Sequence, residues 1–223
     1  MKVAIIAIVG GSGSGKTWLA RQLQRRLGAR AGRLSLDDFY RDRSHLPAHV
    51  RARINFDHPR AIDWPHFRQC LEKIKTGQTV ALPRYDFVTH ARRATPRRWQ
   101  PKPVVLVDGL WLLRQPDLRR LYSVSVFLDC PAKLQLARRL ARDQRERGRS
   151  PASVRRQFRT QVAPMDKQFV APQKRWAKWK FGPAEMATAV TVLCQQEWPA
   201  AQAPNRPAGQ LNKRPANRHP AAR

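Results

Sequence analysis

Residues 3–17 read VAIIAIVGGSGSGKT, and the switch at Gly10 from an apolar run to glycines decides the fold. Val3 to Val9 is apolar and β-branched without alternation, the pattern of a strand buried on both faces of a parallel sheet. Residues 10–17, GGSGSGKT, satisfy the spacing G-x-x-x-x-G-K-[ST] through Gly10, Gly15, Lys16 and Thr17. Glycines let the backbone curl until successive N–H groups point inward, so Gly10, Gly11, Ser12, Gly13, Ser14 and Gly15 are read as a phosphate cradle. A helix from Thr17 to Leu27, with Leu19, Ala20, Leu23 and Leu27 at helical spacing, adds its positive N-terminal end. Lys16 is placed to reach β- and γ-phosphates, and Thr17 to offer a hydroxyl to Mg²⁺. The loop therefore predicts ATP and Mg²⁺ as partners.

Outward from this unit, strand and helix patterns alternate. Arg33 to Leu36 reads as a second strand running into Asp37-Asp38-Phe39-Tyr40, and residues 41–63 read as irregular. Trp64 to Ile74 is an amphipathic helix stopped near Gly77. Thr79 to Trp99, rich in Pro, Arg and Thr, is expected to form short strands outside the main sheet. Val104–Val107 and Ser123–Leu128 are further strands, each followed by an aspartate, Asp108 and Asp129. A basic helix spans 133–147, Gly148 breaks it, and another helix starts near Ser150-Pro151. The fold class is α/β: a doubly wound parallel sheet of the P-loop NTPase type, with a helical lid and a small β-rich insertion that binds substrate. Residues 1–197 are expected to form this domain, and 198–223 a basic, disordered tail poor in large apolar groups.

In such sheets ligands bind beyond the carboxyl ends of the strands, where the polar candidates lie. Asp108 closes the run VVLV and suits a Walker-B acid holding Mg²⁺; the plain alternative is a turn aspartate before Gly109. Asp37 is placed to orient and deprotonate an attacking hydroxyl, with Asp38 as rival. Side chains alternate along an extended chain, so one of the two faces the phosphates. Arg138, Arg139, Arg142, Arg145, Arg147 and Arg149 form a dense run, with Arg138, Arg142, Arg145 and Arg149 spaced for one helical face. Arginines closing over transferring phosphate stabilise its spread of negative charge. The blander reading of the run is a solvated surface.

The charge is the unusual bulk property. The 223 residues carry 44 Lys+Arg against 15 Asp+Glu, a net +29. Residues 198–223 hold five of the bases and no acid, so +24 remains without them. Anionic partners are favoured, and nucleic acid stays an open reading on charge alone. No helicase-type motif and no regular interleaving of aromatics with the basic runs supports it. No apolar run approaches the roughly 20 residues of a membrane span. The apolar opening leads into a glycine loop rather than a cleavage site, so a soluble chain is expected. Cys70, Cys130 and Cys194 match no metal spacing and suit buried thiols in a reducing cytoplasm. Oligomeric state is left open, including a homo-oligomer.

These residues resemble the uridine/cytidine kinase family, within the phosphoribulokinase/uridine kinase group of P-loop proteins. The matching segments are GGSGSGKT, SLDDFY (35–40), NFDHP (55–59), PRYDFVTH (83–90), VVLVDG (104–109), RRLARDQRERGR (138–149) and QFRTQVAPMDKQFVAP (157–172), in family order. The resemblance implies ATP-dependent phosphorylation of a pyrimidine nucleoside at its 5′-hydroxyl, with Asp37 as general base. It implies Tyr40 and Asp57 at the ribose, and Phe56, Tyr85 and His90 around the base. It further implies Arg139 and Arg149 at sugar, base or phosphate, Arg142 and Arg147 in a lid over ATP, and Gln157 near the base. Two departures stand out. The family usually has Glu at the position of Asp108, and an aromatic-Ala-Asp sequence where this chain reads RWAKWKFGP (175–183), with Lys178 in place of the acid. A P-loop kinase of another hydroxyl compound, or a nucleic-acid-binding ATPase, are the competing readings.

Overall fold

The structure, a computed structural model, describes residues 3–51 and 53–198. Among the described residues there are nine strands: β1 (Ala4–Gly10), β2 (Ala31–Ser35), β3 (Val80–Leu82), β4 (Tyr85–Asp86), β5 (Ala91–Arg92), β6 (Arg97–Trp99), β7 (Val104–Gly109), β8 (Val124–Leu128) and β9 (Trp179–Phe181). The helices are α1 (Lys16–Leu27), α2 (Ala48–Arg51), α3 (Trp64–Lys75), α4 (Pro116–Arg119), α5 (Ala132–Arg147), α6 (Pro151–Gln157), α7 (Ala163–Met165) and α8 (Met186–Cys194).

Five strands form one sheet in the order β2-β7-β1-β8-β9, every pairing parallel. β1 lies at its centre and is buried along its whole length, as its unbroken apolar run requires. Alternate residues of β1 face two separate layers. Ile5, Ala7 and Val9 pack with Phe67, Leu71 and Ile74 of α3, whereas Ile6 and Ile8 pack with Leu19 and Leu23 of α1 and with Val190 and Leu193 of α8. The expected insertion is present as two small antiparallel pairs, β3 with β6 and β4 with β5.

The structure departs from the sequence reading at three places. Leu36–Phe39 is a single 3₁₀ turn rather than extended chain, started by the Ser35 hydroxyl accepting the Asp37 N–H. The stretch 41–63 holds a helical turn, α2, and a 3₁₀ turn at Pro59–Ala61, and is anchored by a bridge between Tyr40 and Ile62. Beyond Lys178 the last strand forms all the same, with Val126 opposite Trp179 and Leu128 opposite Phe181. The lysine stands one residue before β9, so its charge is not drawn into the sheet.

Cys70 and Cys130 are buried as expected, Cys194 is half-buried, and all three are free thiols. No helix among the described residues is long and apolar enough to cross a membrane. Trp198 packs against the α1/α8 core, and its indole N–H donates to the Leu193 carbonyl at 2.9 Å. Folded structure thus reaches at least to Trp198, and the rest of the expected tail lies outside the described residues.

One buried polar side chain ties the C-terminal helical run to the sheet. Gln173, fully buried, accepts the Leu113 N–H at 2.9 Å and donates to the carbonyls of Leu110 and Phe169, each at 2.8 Å. Gln173→Leu keeps the bulk but strands these groups, each costing about 1–3 kcal/mol. Thermal unfolding should show a Tm lower by several degrees; an unchanged Tm would mean that water replaces the amide.

Candidate active site

The carboxyl ends of β1, β7 and β2 meet at one cleft of about 1220 Å³. The loop after β1 turns through left-handed backbone at Gly13 (φ 85°) and Gly15 (φ 103°). A Cβ at Gly13 would also stand 2.7 Å from the Gln135 carbonyl of α5, so the loop and that helix touch backbone to backbone. The Lys16 ammonium donates to the carbonyls of Gly10 (2.9 Å) and Gly11 (2.8 Å), which holds it inside the loop. Burial lowers its pKa, against the pull of Asp37, Asp108 and Asp166.

Three carboxylates surround this ammonium. Asp108 is 4% exposed and accepts the Ser35 hydroxyl at 2.9 Å, with Arg33 at 3.7 Å from its other oxygen. Asp37 lines the cleft, and its carboxyl is pushed up to about 6, first by burial and then by the Asp108 charge, while Lys16 and Arg147 pull it down. Asp38 is absent from the cleft wall; its carboxyl, raised by burial, accepts the backbone N–H of Tyr85. The 3₁₀ turn therefore separates the two aspartates as strand alternation would have done. Asp166, which the sequence reading did not single out, has a buried oxygen with no hydrogen-bond partner among the described residues, and burial raises its pKa.

α5 supplies the arginines. Arg138 donates to the carbonyls of Gly13 (3.2 Å) and Ser14 (3.3 Å), and buried Arg139 donates to the Ser12 hydroxyl (2.6 Å) and to Gln157 (3.1 Å). The spacing expectation of one face through Arg138, Arg142, Arg145 and Arg149 fails at its end. α5 stops at Arg147, Gly148 takes left-handed backbone (φ 60°), and Arg149 turns back to donate to Gln157. Asp143 gathers the cluster. It is fully buried, with Arg142 at 2.8 Å, Arg139 at 3.6 Å, Arg147 at 3.7 Å and Arg149 at 4.0 Å, while its carbonyl accepts the Arg149 N–H at 3.1 Å. The spacing of the arginines in the sequence gives no sign of this role for Asp143.

The opposite wall is aromatic. Tyr40 packs against Tyr85 (5.0 Å between ring centres) and Phe56 (5.6 Å), and its hydroxyl donates to the Phe56 carbonyl at 3.0 Å. His90 stacks on Phe56 at 4.6 Å with 9° between planes, and holds positive φ (52°), an unusual conformation for a residue other than glycine. Its Nδ1 and the Tyr85 hydroxyl are buried polar atoms without a partner among the described residues. Burial, then Arg147, lower the His90 pKa and favour the neutral ring. Arg147 lies over Phe87 at 5.0 Å, bringing the end of α5 to this wall. Asp57 lines the cleft, its pKa raised by burial against the pull of Arg139 and Arg147.

The cleft joins a P-loop and a cluster of arginines to an aromatic wall, an arrangement consistent with a P-loop phosphotransferase that uses a nucleoside triphosphate. A model of the Phosphoribulokinase / Uridine kinase family matches residues 5–185. Proteins called uridine kinase from Chloroflexus aggregans and Staphylococcus carnosus are 45% and 42% identical over 174 residues, 78% of this chain and 83% and 84% of theirs. Among solved structures, a putative fructose transport system kinase from Silicibacter sp. TM1040 aligns with a TM-score of 0.66 at 22% identity, over 81% of this chain and 90% of its own. Phosphoribulokinase from Rhodobacter spheroides aligns with a TM-score of 0.62 at 16% identity, over 81% and 70%. At those identities the likeness establishes the shared fold. The chain belongs to the phosphoribulokinase/uridine kinase family.

Two outcomes follow from the electrostatics. Asp143→Asn removes the charge that draws the guanidinium groups together, so chemical unfolding should show a loss of about 1–3 kcal/mol, and calorimetry weaker ATP binding. Unchanged values would mean that the arginines hold one another through water and Gln157. For Asp37 the folded state binds the proton more tightly than the unfolded chain, so stability declines as pH rises from 3.8 to about 6. Asp37→Asn carries no such charge, and its Tm advantage over the parent should grow between about pH 4 and about pH 6 and then level off. A constant difference would show that Asp37 is not perturbed.

Proposed function

We propose that this protein transfers the γ-phosphoryl group of ATP to the 5′-hydroxyl of uridine or cytidine. The observation that carries the reading is the pairing of the glycine loop with an aromatic wall bearing two buried, unpartnered polar atoms, Tyr85 Oη and His90 Nδ1, in one cleft. A planar base with polar edges suits such a wall. Stacking uses Phe56 and Tyr85, while a hydrogen bond to His90 or Tyr85 would be charge-neutral.

In this scheme loop N–H groups and Lys16 bind the β- and γ-phosphates. Asp57 and Tyr40 hold the ribose, and Arg139, Arg149 and Gln157 close the side of the pocket toward the lid. Asp37 accepts the proton of the 5′-hydroxyl as its oxygen bonds to the γ-phosphorus and the bond to the leaving β-phosphate oxygen breaks. Arg142 and Arg147 offset the charge spread over the equatorial oxygens. Mg²⁺ fits the donor set: Thr17 and Asp108 offer hard oxygen atoms on the same cleft, and this ion normally keeps waters and phosphates as its other ligands. When bound it supplies neutralisation of the phosphates. The shorter arm of Asp108, relative to Glu, suits contact through water. Cytoplasm, where ATP is abundant, is the setting this reading implies.

The test is ADP release with ATP, Mg²⁺ and a panel of nucleosides, sugars and vitamins bearing a primary hydroxyl. Uridine or cytidine should accelerate it most; a non-nucleoside as the best acceptor would overturn the assignment. His90→Ala should lower kcat/KM for the nucleoside by an amount equal to about 1–3 kcal/mol, with ATP KM nearly unchanged. Equal losses for both substrates would place His90 outside the acceptor pocket.

A further inference from the structure

A second cavity of about 770 Å³ shares no lining residue with the cleft. Its wall contains Arg41, Arg43, Arg60, Arg92 and Arg114, with the half-buried indole of Trp64. Two carboxylates also line it, and both are engaged within the wall. Asp63 pairs with Arg92 at 3.1 Å and caps α3 by accepting the His66 N–H at 3.3 Å. Asp42 accepts from the Ser44 N–H (3.0 Å), the Ser44 hydroxyl (2.9 Å) and the Arg92 N–H (3.3 Å).

Arg92 is thereby neutralised, but the other guanidinium groups are not. Arg41, Arg43, Arg60 and Arg114 form no ion pair among the described residues. Arg41 donates to the Arg60 carbonyl at 3.2 Å, and Arg114 lies over the Phe169 ring at 5.0 Å, so each leaves donors unused. Four cations around one concavity repel one another, and an anion with several oxygens relieves this while filling their forked donors. Phosphoryl transfer in the cleft makes no use of them.

The cavity is also wired to the acceptor wall. Arg92 donates to the carbonyls of Tyr40 (2.8 Å) and Phe39 (3.3 Å), and the Arg41 N–H bonds the Ala61 carbonyl at 2.8 Å. The Tyr40 carbonyl is thus held by a side chain of the second cavity's wall, while Tyr40 itself lines the cleft.

We infer that this cavity is a second anion site, taking a small molecule with two or more phosphate charges, and that its occupancy changes acceptor binding through Arg92 and Tyr40. The coupling rests on the nucleoside reading above; the binding does not. Pyrophosphate is the probe, titrated by calorimetry into full-length protein already saturated with a non-hydrolysable ATP analogue and Mg²⁺, so that the glycine loop is filled. Saturable binding should appear at constant ionic strength and weaken about tenfold or more in Arg43→Gln/Arg60→Gln. Neither side chain makes a hydrogen bond among the described residues, so the variant should keep the parent Tm; Arg114→Gln serves as a second variant. No saturable binding, or affinity undiminished in both variants, overturns the site. In the second arm, uridine KM is measured at saturating ATP and excess Mg²⁺. It should shift with pyrophosphate in the parent and stay fixed in the double variant. Binding without that shift overturns the coupling, and a protein inert toward every nucleoside would sink the nucleoside reading while the calorimetry still decides the site.

Discussion

The in-register parallel pairing of β1 with β7 is the constraint on which the site depends. It sets Ile8 opposite Asp108 and Val9 opposite Gly109, so the glycine loop and the carboxylate leave the sheet side by side. The next pairing, β2 with β7, sets Ser35 opposite Asp108, and the Ser35 hydroxyl both bonds that carboxylate and starts the turn carrying Asp37. A slip of one residue would turn alternate side chains to the other layer and bury the wrong set. The two cores on either face of β1 specify against such a slip, because Ile5, Ala7 and Val9 serve one and Ile6 and Ile8 the other.

Charge then organises what the sheet positions. Lys16, the arginines of α5 and three nearby aspartates share a partly buried volume, and burial pushes the Asp37 and Asp166 carboxyls up and the Lys16 ammonium down. Such a set is poorly satisfied by itself and well matched to a substrate bringing phosphate charge and its counter-cation. Asp143 is the fixed point: one buried carboxylate collects four guanidinium groups at the end of α5, and Gly148 lets the chain return Arg149 to it. The arginine cluster is thus drawn together by a carboxylate that does not itself line the cleft.

Much of this was legible in the sequence, for physical reasons. The unbroken apolar run of residues 3–9 and the glycine spacing after it announce a buried strand and a phosphate loop, because few other structures need either pattern. Asp37 and Asp108 could be placed because each follows a strand-like run. What stayed hidden depends on contacts between distant segments. Arg92 holds Tyr40 from 52 positions away, and Gln173 serves the Leu110 carbonyl 63 positions distant. The role of Asp143 needs the C-terminal turn of α5, which spacing alone does not give. The separation of Asp37 from Asp38 was expected from alternation and arises instead from a 3₁₀ turn, so the outcome held through a different geometry.

The central claim is that one carboxylate, Asp37, faces the transferring phosphoryl group while its neighbour does not. The direct measurement is kcat for nucleoside phosphorylation by Asp37→Asn and by Asp38→Asn, with ATP affinity determined alongside. Asp37→Asn keeps size but removes the proton acceptor, and the account predicts a fall of about 10²–10⁴ in kcat with ATP binding retained. Asp38→Asn, whose carboxylate accepts from the Tyr85 backbone away from the cleft, should stay near the parent rate. A crippled Asp38→Asn beside an active Asp37→Asn would contradict the assignment, and two active variants would remove base catalysis from this turn altogether.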